Sequence, residues 1–253
     1  KLLTVYAADF GGASGNNATQ NVSFNNITCG ATLMNNLTLT SNFDCSLGTS
    51  DGLVIGANDI TLDCAGYSII GPGDYDGIEA TDFSGVIVKN CNISSFQNGV
   101  YFSNADNSLI LNNIFTSNFE GIFSANSLNL NISYNQISSS ERNNIGLFGE
   151  LNGTYIYENN LTLSGNNGMR INSCGESSGT GCGTFSNGLS IINNNVSGNG
   201  IGEYSGLYGV YANNIITTSI QDNIINSNGG DGLYLYNVAT GSILENTVSS
   251  NMQ

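Results

Sequence analysis

The chain has 253 residues, a length that one β-rich domain can reach, and 40% of them are hydrophobic, which is enough for a large core. Only 9% are charged and the net charge is −15, because four cationic side chains stand against 19 acidic ones. Four scattered cations cannot neutralise a phosphate backbone and no apolar run reaches the length of a membrane span, so we expect neither a nucleic-acid partner nor membrane insertion.

The chain begins with a lead over residues 1–25 that is rich in Gly, Ser and Asn. Its stretch "LLTVYAADF" is apolar enough to pack as a strand over the first coil of a repeat domain. We therefore predict two parts: a capping or partner-contacting lead over 1–25, and a repeat domain over 26–253.

From Gly52 onward the chain repeatedly places a Gly before an apolar residue, at intervals of mostly 22 to 26 residues. A period of this length is typical of stacked-coil proteins. The later openers are Gly77, Gly99, Gly121, Gly146, Gly168, Gly206 and Gly232. The segment after Gly168 is longer and contains "NSCGESSGTGCG", which predicts a loop inserted at about 173–187.

Each segment contains three short stretches with strand character. After the opener, apolar residues such as Ile78, Val100 and Ile122 alternate with outward ones, as in a strand with one buried face. A second stretch such as "SLILNN" and a third such as "CNISSF" follow. No 3.6-residue periodicity occurs, so the pattern predicts an all-β fold of eight to nine stacked coils, with three short strands per coil.

One position, fourteen residues after the opener, is occupied mainly by Asn. Its members are Cys91, Asn113, Asn135, Asn160 and Asn246. Asn tolerates the left-handed backbone of a corner, and stacked amides can hydrogen-bond from coil to coil. We interpret this column as structural.

The phrases "CGATLMNNLTLTSNFDC", "GLVIGANDITLDCAGYSIIG" and "GVIVKNCNISSFQNGVYF" resemble the right-handed parallel β-helix repeat family, in particular its NosD-like and carbohydrate-binding or sugar-hydrolase subset. The resemblance extends over about residues 27–253. It implies a right-handed parallel β-helix. It does not define the activity, because this fold supports many functions.

The resemblance also assigns positions to the six cysteines. It implies the disulfides Cys29–Cys45, Cys64–Cys91 and Cys174–Cys182, since adjacent coils lie close to the separation that a disulfide requires. A buried pair of thiols at Cys64 and Cys91 is the alternative. Disulfides are typical of an oxidising, extracellular setting.

Catalytic members of this family use an Arg or Lys base beside carboxylates that hold calcium, or clustered Asp with a His and cationic partners. This chain has no His and no Asp-Asp pair. Beyond the N-terminal lysine, its cations are Lys89, Arg142 and Arg170. We assign no catalytic residue, and the sequence argues against an enzyme without deciding the question.

The stretch "GPGDYDGIEATD" gathers four carboxylates, from Asp74, Asp76, Glu79 and Asp82. Hard oxygen ligands beside Gly are suited to calcium, the one cofactor that the sequence suggests. The alternative is a solvated acidic corner.

An outward column of aromatic residues is predicted beside the openers. Its members are Tyr101, Phe123, Phe148, Tyr208 and Tyr234, with Arg170 among them. Aligned aromatic side chains can bind sugar rings or another protein, or they can stack on one another along the sheet. The sequence leaves both interpretations open.

Nine Asn-x-Ser/Thr sequons occur, a number that chance alone would produce in a chain so rich in these residues. Asn160 falls in the predicted corner column and is set aside. The remaining candidates for glycosylation are Asn17, Asn21, Asn26, Asn36, Asn92, Asn131, Asn152 and Asn195.

These features favour a non-catalytic, extracellular structural protein at the cell surface, such as a glycosylated filament, sheath or adhesin subunit that self-associates head to tail. The alternative function is a secreted β-helix that binds or degrades polysaccharide through the aromatic column and the Asp74–Asp82 acids.

Overall fold

The computed structural model describes residues 27–175, 185–201 and 207–252. The predicted lead over 1–25 and most of the predicted inserted loop lie outside these ranges. The described residues form a parallel β-solenoid of nine turns, with three strand ladders around one core. None of them belongs to a helix long and apolar enough to cross a membrane.

Sheet 1 contains one strand from each turn. Its first seven strands are β1 Ala31–Leu33, β4 Leu53–Ile55, β7 Ile78–Thr81, β10 Asn98–Ser103, β13 Glu120–Ala125, β16 Ile145–Phe148 and β19 Met169–Asn172. The ladder ends with two long strands, β23 Val210–Gln221 and β25 Leu233–Leu244.

Sheet 2 lies around the next corner and shares β23 and β25 with sheet 1, because these strands continue through the corner. Its other strands are β2 Leu37–Thr38, β5 Thr61–Asp63, β8 Ile87–Lys89, β11 Leu109–Leu111, β14 Asn131–Ser133, β17 Tyr155–Tyr157 and β21 Ser190–Ile192. The short β20, Ser186–Asn187, pairs with β23 between the two ladders.

Sheet 3 closes each turn and is a separate nine-stranded sheet. Its strands are β3 Phe43–Asp44, β6 Ser68–Ile70, β9 Asn92–Ser94, β12 Ile114–Thr116, β15 Gln136–Ser138, β18 Asn160–Thr162, β22 Asn195–Ser197, β24 Ile224–Asn226 and β26 Thr247–Ser249. All pairings in the three ladders are parallel.

The predicted inner file of apolar side chains is present. Val100 pairs with Ile78 on one side and Ile122 on the other, and all three are fully buried. Period-two alternation in each strand sends every second side chain inward, and stacked coils then bury these side chains against one another. The predicted all-β stacked-coil fold is confirmed.

Two of the predicted coil openers are wrong. Ile122 pairs with Ile145 and Met169 pairs with Val210, so the openers are Asn144 and Gly209. Gly146 lies inside β16 at a position in the outward row, while Gly206 lies outside the described residues. At this opener Asn144 stands in place of Gly, and its amide nitrogen donates to Thr162 O (3.1 Å) and Asn199 Oδ1 (2.9 Å) at the buried corner.

The same shift corrects the amide column between sheets 2 and 3. Asn159 is its buried member, and Asn160 is exposed at the start of β18. Each amide nitrogen donates to the amide oxygen of the next coil at 2.9–3.0 Å. The continuous ladder is Asn113, Asn135, Asn159, Asn194, Asn223 and Asn246.

Two disulfides staple the first coils: Cys29–Cys45 and Cys64–Cys91, with Cα–Cα separations of 5.8 and 4.7 Å. Both pairings are those implied by the family resemblance, and Cys64 and Cys91 are therefore not a pair of thiols. For the third pairing, Cys174–Cys182, Cys182 lies outside the described residues.

Candidate functional site

The outward row of sheet 1 differs from the predicted aromatic column at two places. Strand pairing gives the row Glu79, Tyr101, Phe123, Gly146, Arg170, Tyr211 and Tyr234. Gly146 and Tyr211 thus occupy the places predicted for Phe148 and Tyr208. Phe148 comes two residues later in β16, and Tyr208 precedes β23.

The predicted aromatic residues still form stacks. In the first stack the side chains of Phe123 and Phe148 come into contact across Gly146, which has no side chain. The rings of Tyr101 and Phe123 are stacked 5.3 Å apart, and those of Phe123 and Phe148 are 5.1 Å apart. The guanidinium carbon of Arg170 lies 5.4 Å from the centre of the Phe148 ring. A Cβ atom at Gly146 would lie 3.0 Å from that ring, so the missing side chain is what admits Phe148.

A second stack continues the row beyond Arg170. Tyr208 lies 4.7 Å from Tyr234 and 5.6 Å from Tyr211, measured between ring centres. Burial raises the pKa of the Tyr208 and Tyr211 hydroxyls, so both remain protonated at neutral pH. Tyr211 was missed in the sequence. The Gly-Val pair directly before it is the signal that could have identified it.

This geometry determines what the aromatic side chains can bind. Interplanar angles of 5–30° within both stacks mean that most ring faces already lie against a neighbouring ring. A sugar ring stacks on an aromatic face. In the first stack the Phe148 end is closed, because Arg170 lies over that ring and Phe148 is 2% exposed. Ring edges and tyrosine hydroxyls form the rest of the outer surface.

A buried ion pair lies beside the first stack. Glu120 is 1% exposed, and its Oε1 accepts from Arg142 Nη1 at 2.9 Å and from Asn143 Nδ2 at 3.1 Å. A Cβ atom at Gly146 would collide with Glu120 Oε2. Gly146 therefore makes room for both the carboxylate and the Phe148 ring.

The four acids proposed for calcium are engaged in different local contacts. Asp76 accepts from Asn98 Nδ2 (2.8 Å), Asp82 from Asn104 Nδ2 (2.7 Å), and Glu79 from the Thr81 hydroxyl (3.0 Å). Asp74 is exposed. No group of three or more acidic, His or Cys side chains suited to a metal ion occurs in the described ranges.

Burial raises the pKa of the Asp76 carboxyl to about 6, and the neighbouring carboxylates of Asp51 and Glu79 act in the same direction. The Asn98 amide opposes this shift because its hydrogen bond favours the ionised form.

The sequons fall in different environments. Asn36 is exposed between β1 and β2, whereas Asn92, Asn131, Asn152 and Asn195 are half-buried. Asn17, Asn21 and Asn26 lie outside the described residues. Glycosylation of any of them stays a prediction.

The stacked parallel coils agree with comparisons to known proteins. A family described as periplasmic copper-binding protein (NosD) matches residues 69–192, which is just under half of the chain. The A-module of the mannuronan C-5 epimerase AlgE6 from Azotobacter vinelandii has a similar structure (TM-score 0.53, 15% identity, 88% of this chain and 68% of that one). The chain therefore has the right-handed parallel β-helix fold that the epimerase module also has.

A further β-helix of similar structure is the Dettilon tailspike protein gp208. Its TM-score is 0.50 at 12% identity, over 84% of this chain and 60% of the tailspike. Identities this low establish the shared fold alone. No curated protein is significantly similar to this β-helix in sequence.

The described residues do not suit copper, the metal in the NosD description. Copper prefers imidazole, thiolate and thioether ligands. This β-helix has no His, and its described cysteines are disulfide-bonded. Of its methionines, Met34 and Met252 are exposed and Met169 lies in the core, so the thioethers do not converge.

Proposed function

We propose that this β-helix is a non-catalytic structural protein outside the cytoplasm, a stiff rod that serves as a subunit of a cell-surface layer or filament. Disulfides such as Cys29–Cys45 and Cys64–Cys91 are typical of proteins that fold in an oxidising compartment.

The observation that carries this proposal is the engagement of reactive side chains with neighbouring coils. Asp63 holds Lys89 at 3.2 Å and Asn90 at 2.9 Å, and Asp106 accepts from the Leu128 backbone at 2.8 Å. Glu120 is held by Arg142, and the aromatic rings are stacked face to face. Side chains occupied in this way stabilise the rod and leave little freedom for acid–base work.

Electron microscopy of the purified native protein tests this role. We expect rods joined into filaments or layers whose assembly depends on protein concentration. Particles that stay single at every concentration would contradict self-assembly.

Polysaccharide binding is the second candidate, supported by the tyrosine hydroxyls and ring edges along sheet 1. The epimerase of similar fold is named for mannuronan, a polysaccharide. Affinity electrophoresis in gels that contain neutral or acidic polysaccharides, with and without calcium, tests this candidate. Retention that disappears in Tyr234→Ala but not in Tyr134→Ala would support it, and product release would indicate an enzyme.

A further inference from the structure

The outer surface of sheet 3 carries a regular row of hydroxyl groups. In strands β9, β12, β15, β18 and β22 the last residue points outward, and strand pairing aligns these residues without interruption. They are Ser94, Thr116, Ser138, Thr162 and Ser197. Asn226 and Ser249 continue the row.

These five hydroxyls are available for an external partner. All five residues are half-buried, so each remains partly exposed. None of their side chains takes part in a hydrogen bond within the part of the chain that the structure describes. Along other surfaces of this β-helix, in contrast, polar side chains such as Asn90 and Asn112 bond to the next coil at 2.8 Å.

A second outward row runs parallel to the first, two residues earlier in each strand. It contains Asn92, Ile114, Gln136, Asn160, Asn195, Ile224 and Thr247. Ile114 and Ile224 are 40% and 48% exposed. Neither row contains a charged residue from β9 to β26, although the whole chain has 19 acids. The surface therefore complements an uncharged partner.

Two corners hold this surface rigid. The Asn113–Asn246 amide ladder precedes sheet 3. A second set of amides follows it, in which Asn199 donates to Asn228 and Asn228 to Asn251, at 3.1 and 2.9 Å. The second set joins the last three coils, and parallel strand pairing along the sheet makes the hydroxyls repeat at about 4.8 Å.

We propose that this face of sheet 3 binds ice. Its hydroxyl repeat is close to the oxygen repeat along one axis of hexagonal ice, so a row of hydroxyls can replace a row of lattice waters. Water beside exposed methyl groups is already restricted in orientation. Charged groups would hold their own hydration shells against the lattice, and the two rows have none from β9 to β26; the nearest in the hydroxyl row is Asp44, in β3.

Two measurements on the purified wild-type protein test the proposal: inhibition of ice recrystallisation, and enrichment in a slowly grown ice hemisphere relative to the liquid. We expect both. A folded wild-type protein that is excluded from ice like an inert protein would overturn the proposal. So would binding to microcrystalline chitin or cellulose without enrichment in ice.

Thr162→Lys and Ser138→Tyr place a long or bulky group in the middle of the face, and we expect each to lose most of the ice activity. The matched control is Ser103→Lys, at a half-exposed outward position on sheet 1. Thermal unfolding of each variant verifies the fold. Equal loss in Ser103→Lys, or full activity in both face variants, would contradict a site on sheet 3.

Discussion

One corner of this β-helix, between sheets 2 and 3, is held in two ways along a single column. In its N-terminal part Cys64 and Cys91 are joined by a disulfide. From the next coil onward the same position is Asn, and the column runs from Asn113 to Asn246. The two parts meet where the backbone nitrogen of Cys91 donates to Asn113 Oδ1 at 2.9 Å.

The difference lies in what each device requires. A disulfide acts largely by restricting the unfolded chain, joins two coils only, and needs an oxidant. An Asn ladder acts in the folded state, because each amide satisfies buried backbone groups that would otherwise lack partners. The ladder extends over any number of coils, so it is the device suited to a long repeat.

The largest expected effect comes from breaking the ladder at its centre. Asn159→Ala removes the amide that accepts from the backbone and side chain of Asn135 and donates to Ile132 O at 2.8 Å. Several buried groups lose their partners, so we expect a loss of about 3–5 kcal/mol in the free energy of unfolding, measured by urea denaturation. The exposed neighbour is the control: Asn160→Ala should cost under about 0.5 kcal/mol. Equal losses would mean that the ladder contributes nothing specific.

Replacing the Cys64–Cys91 disulfide with two amides tests whether the two devices are interchangeable. The double variant Cys64→Ala/Cys91→Ala opens a cross-link between residues 27 apart, and we expect a loss of about 3 kcal/mol. The variant Cys64→Asn/Cys91→Asn should recover about 1 kcal/mol of this by extending the ladder, and it should be insensitive to reductant. If Cys64→Asn/Cys91→Asn is no more stable than Cys64→Ala/Cys91→Ala, the coils that the disulfide joins cannot accommodate amides.

A second corner, before sheet 1, mixes carboxylates and amides: adjacent coils place Asp51, Asp76, Asn98, Glu120 and Asn143 there in turn. Because folding raises the pKa of Asp76 from 3.8 to about 6, the folded state favours the protonated acid. The resulting stability is fully present below about pH 4 and is lost as the pH rises through 6; we expect a change of about 2 kcal/mol. Denaturation at pH 4 to 7 measures it. Asp76→Asn should flatten this part of the profile, whereas Asp74→Asn, at an exposed site, should not.

The smallest effect is expected for the exterior stack. Phe123→Leu removes stacking on Tyr101 and Phe148, and we expect a loss of about 1 kcal/mol beyond the lost burial. Phe83→Leu is the matched control, since Phe83 stacks on no other ring among the described residues. A larger cost at Phe83 would show that ring stacking is not a significant source of stability.

Much of the fold could be predicted because its signals are local. Alternation at Ile78, Val100 and Ile122 follows from two-residue side-chain periodicity, and the 22-residue interval follows from coil length. The aromatic site was harder to predict from the sequence. Phe148 joins the aromatic stack because Gly146, two residues earlier in β16, leaves room beside Phe123 of the preceding coil. Which residue lies opposite Phe123 depends on the register between coils, and no pattern within one strand contains it.

The sequence by itself determined that this chain forms stacked three-stranded coils with a buried apolar file, because each short segment has its own inner and outer faces. The tertiary structure alone decided which residues of adjacent coils are in register once the interval departs from 22, as where the backbone of Tyr208 reaches Asn167, 41 residues earlier. Register between coils is fixed by hydrogen bonds across the ladder. For this reason Asn144, Asn159 and Tyr211, rather than Gly146, Asn160 and Tyr208, occupy the opener, the ladder and the outward row.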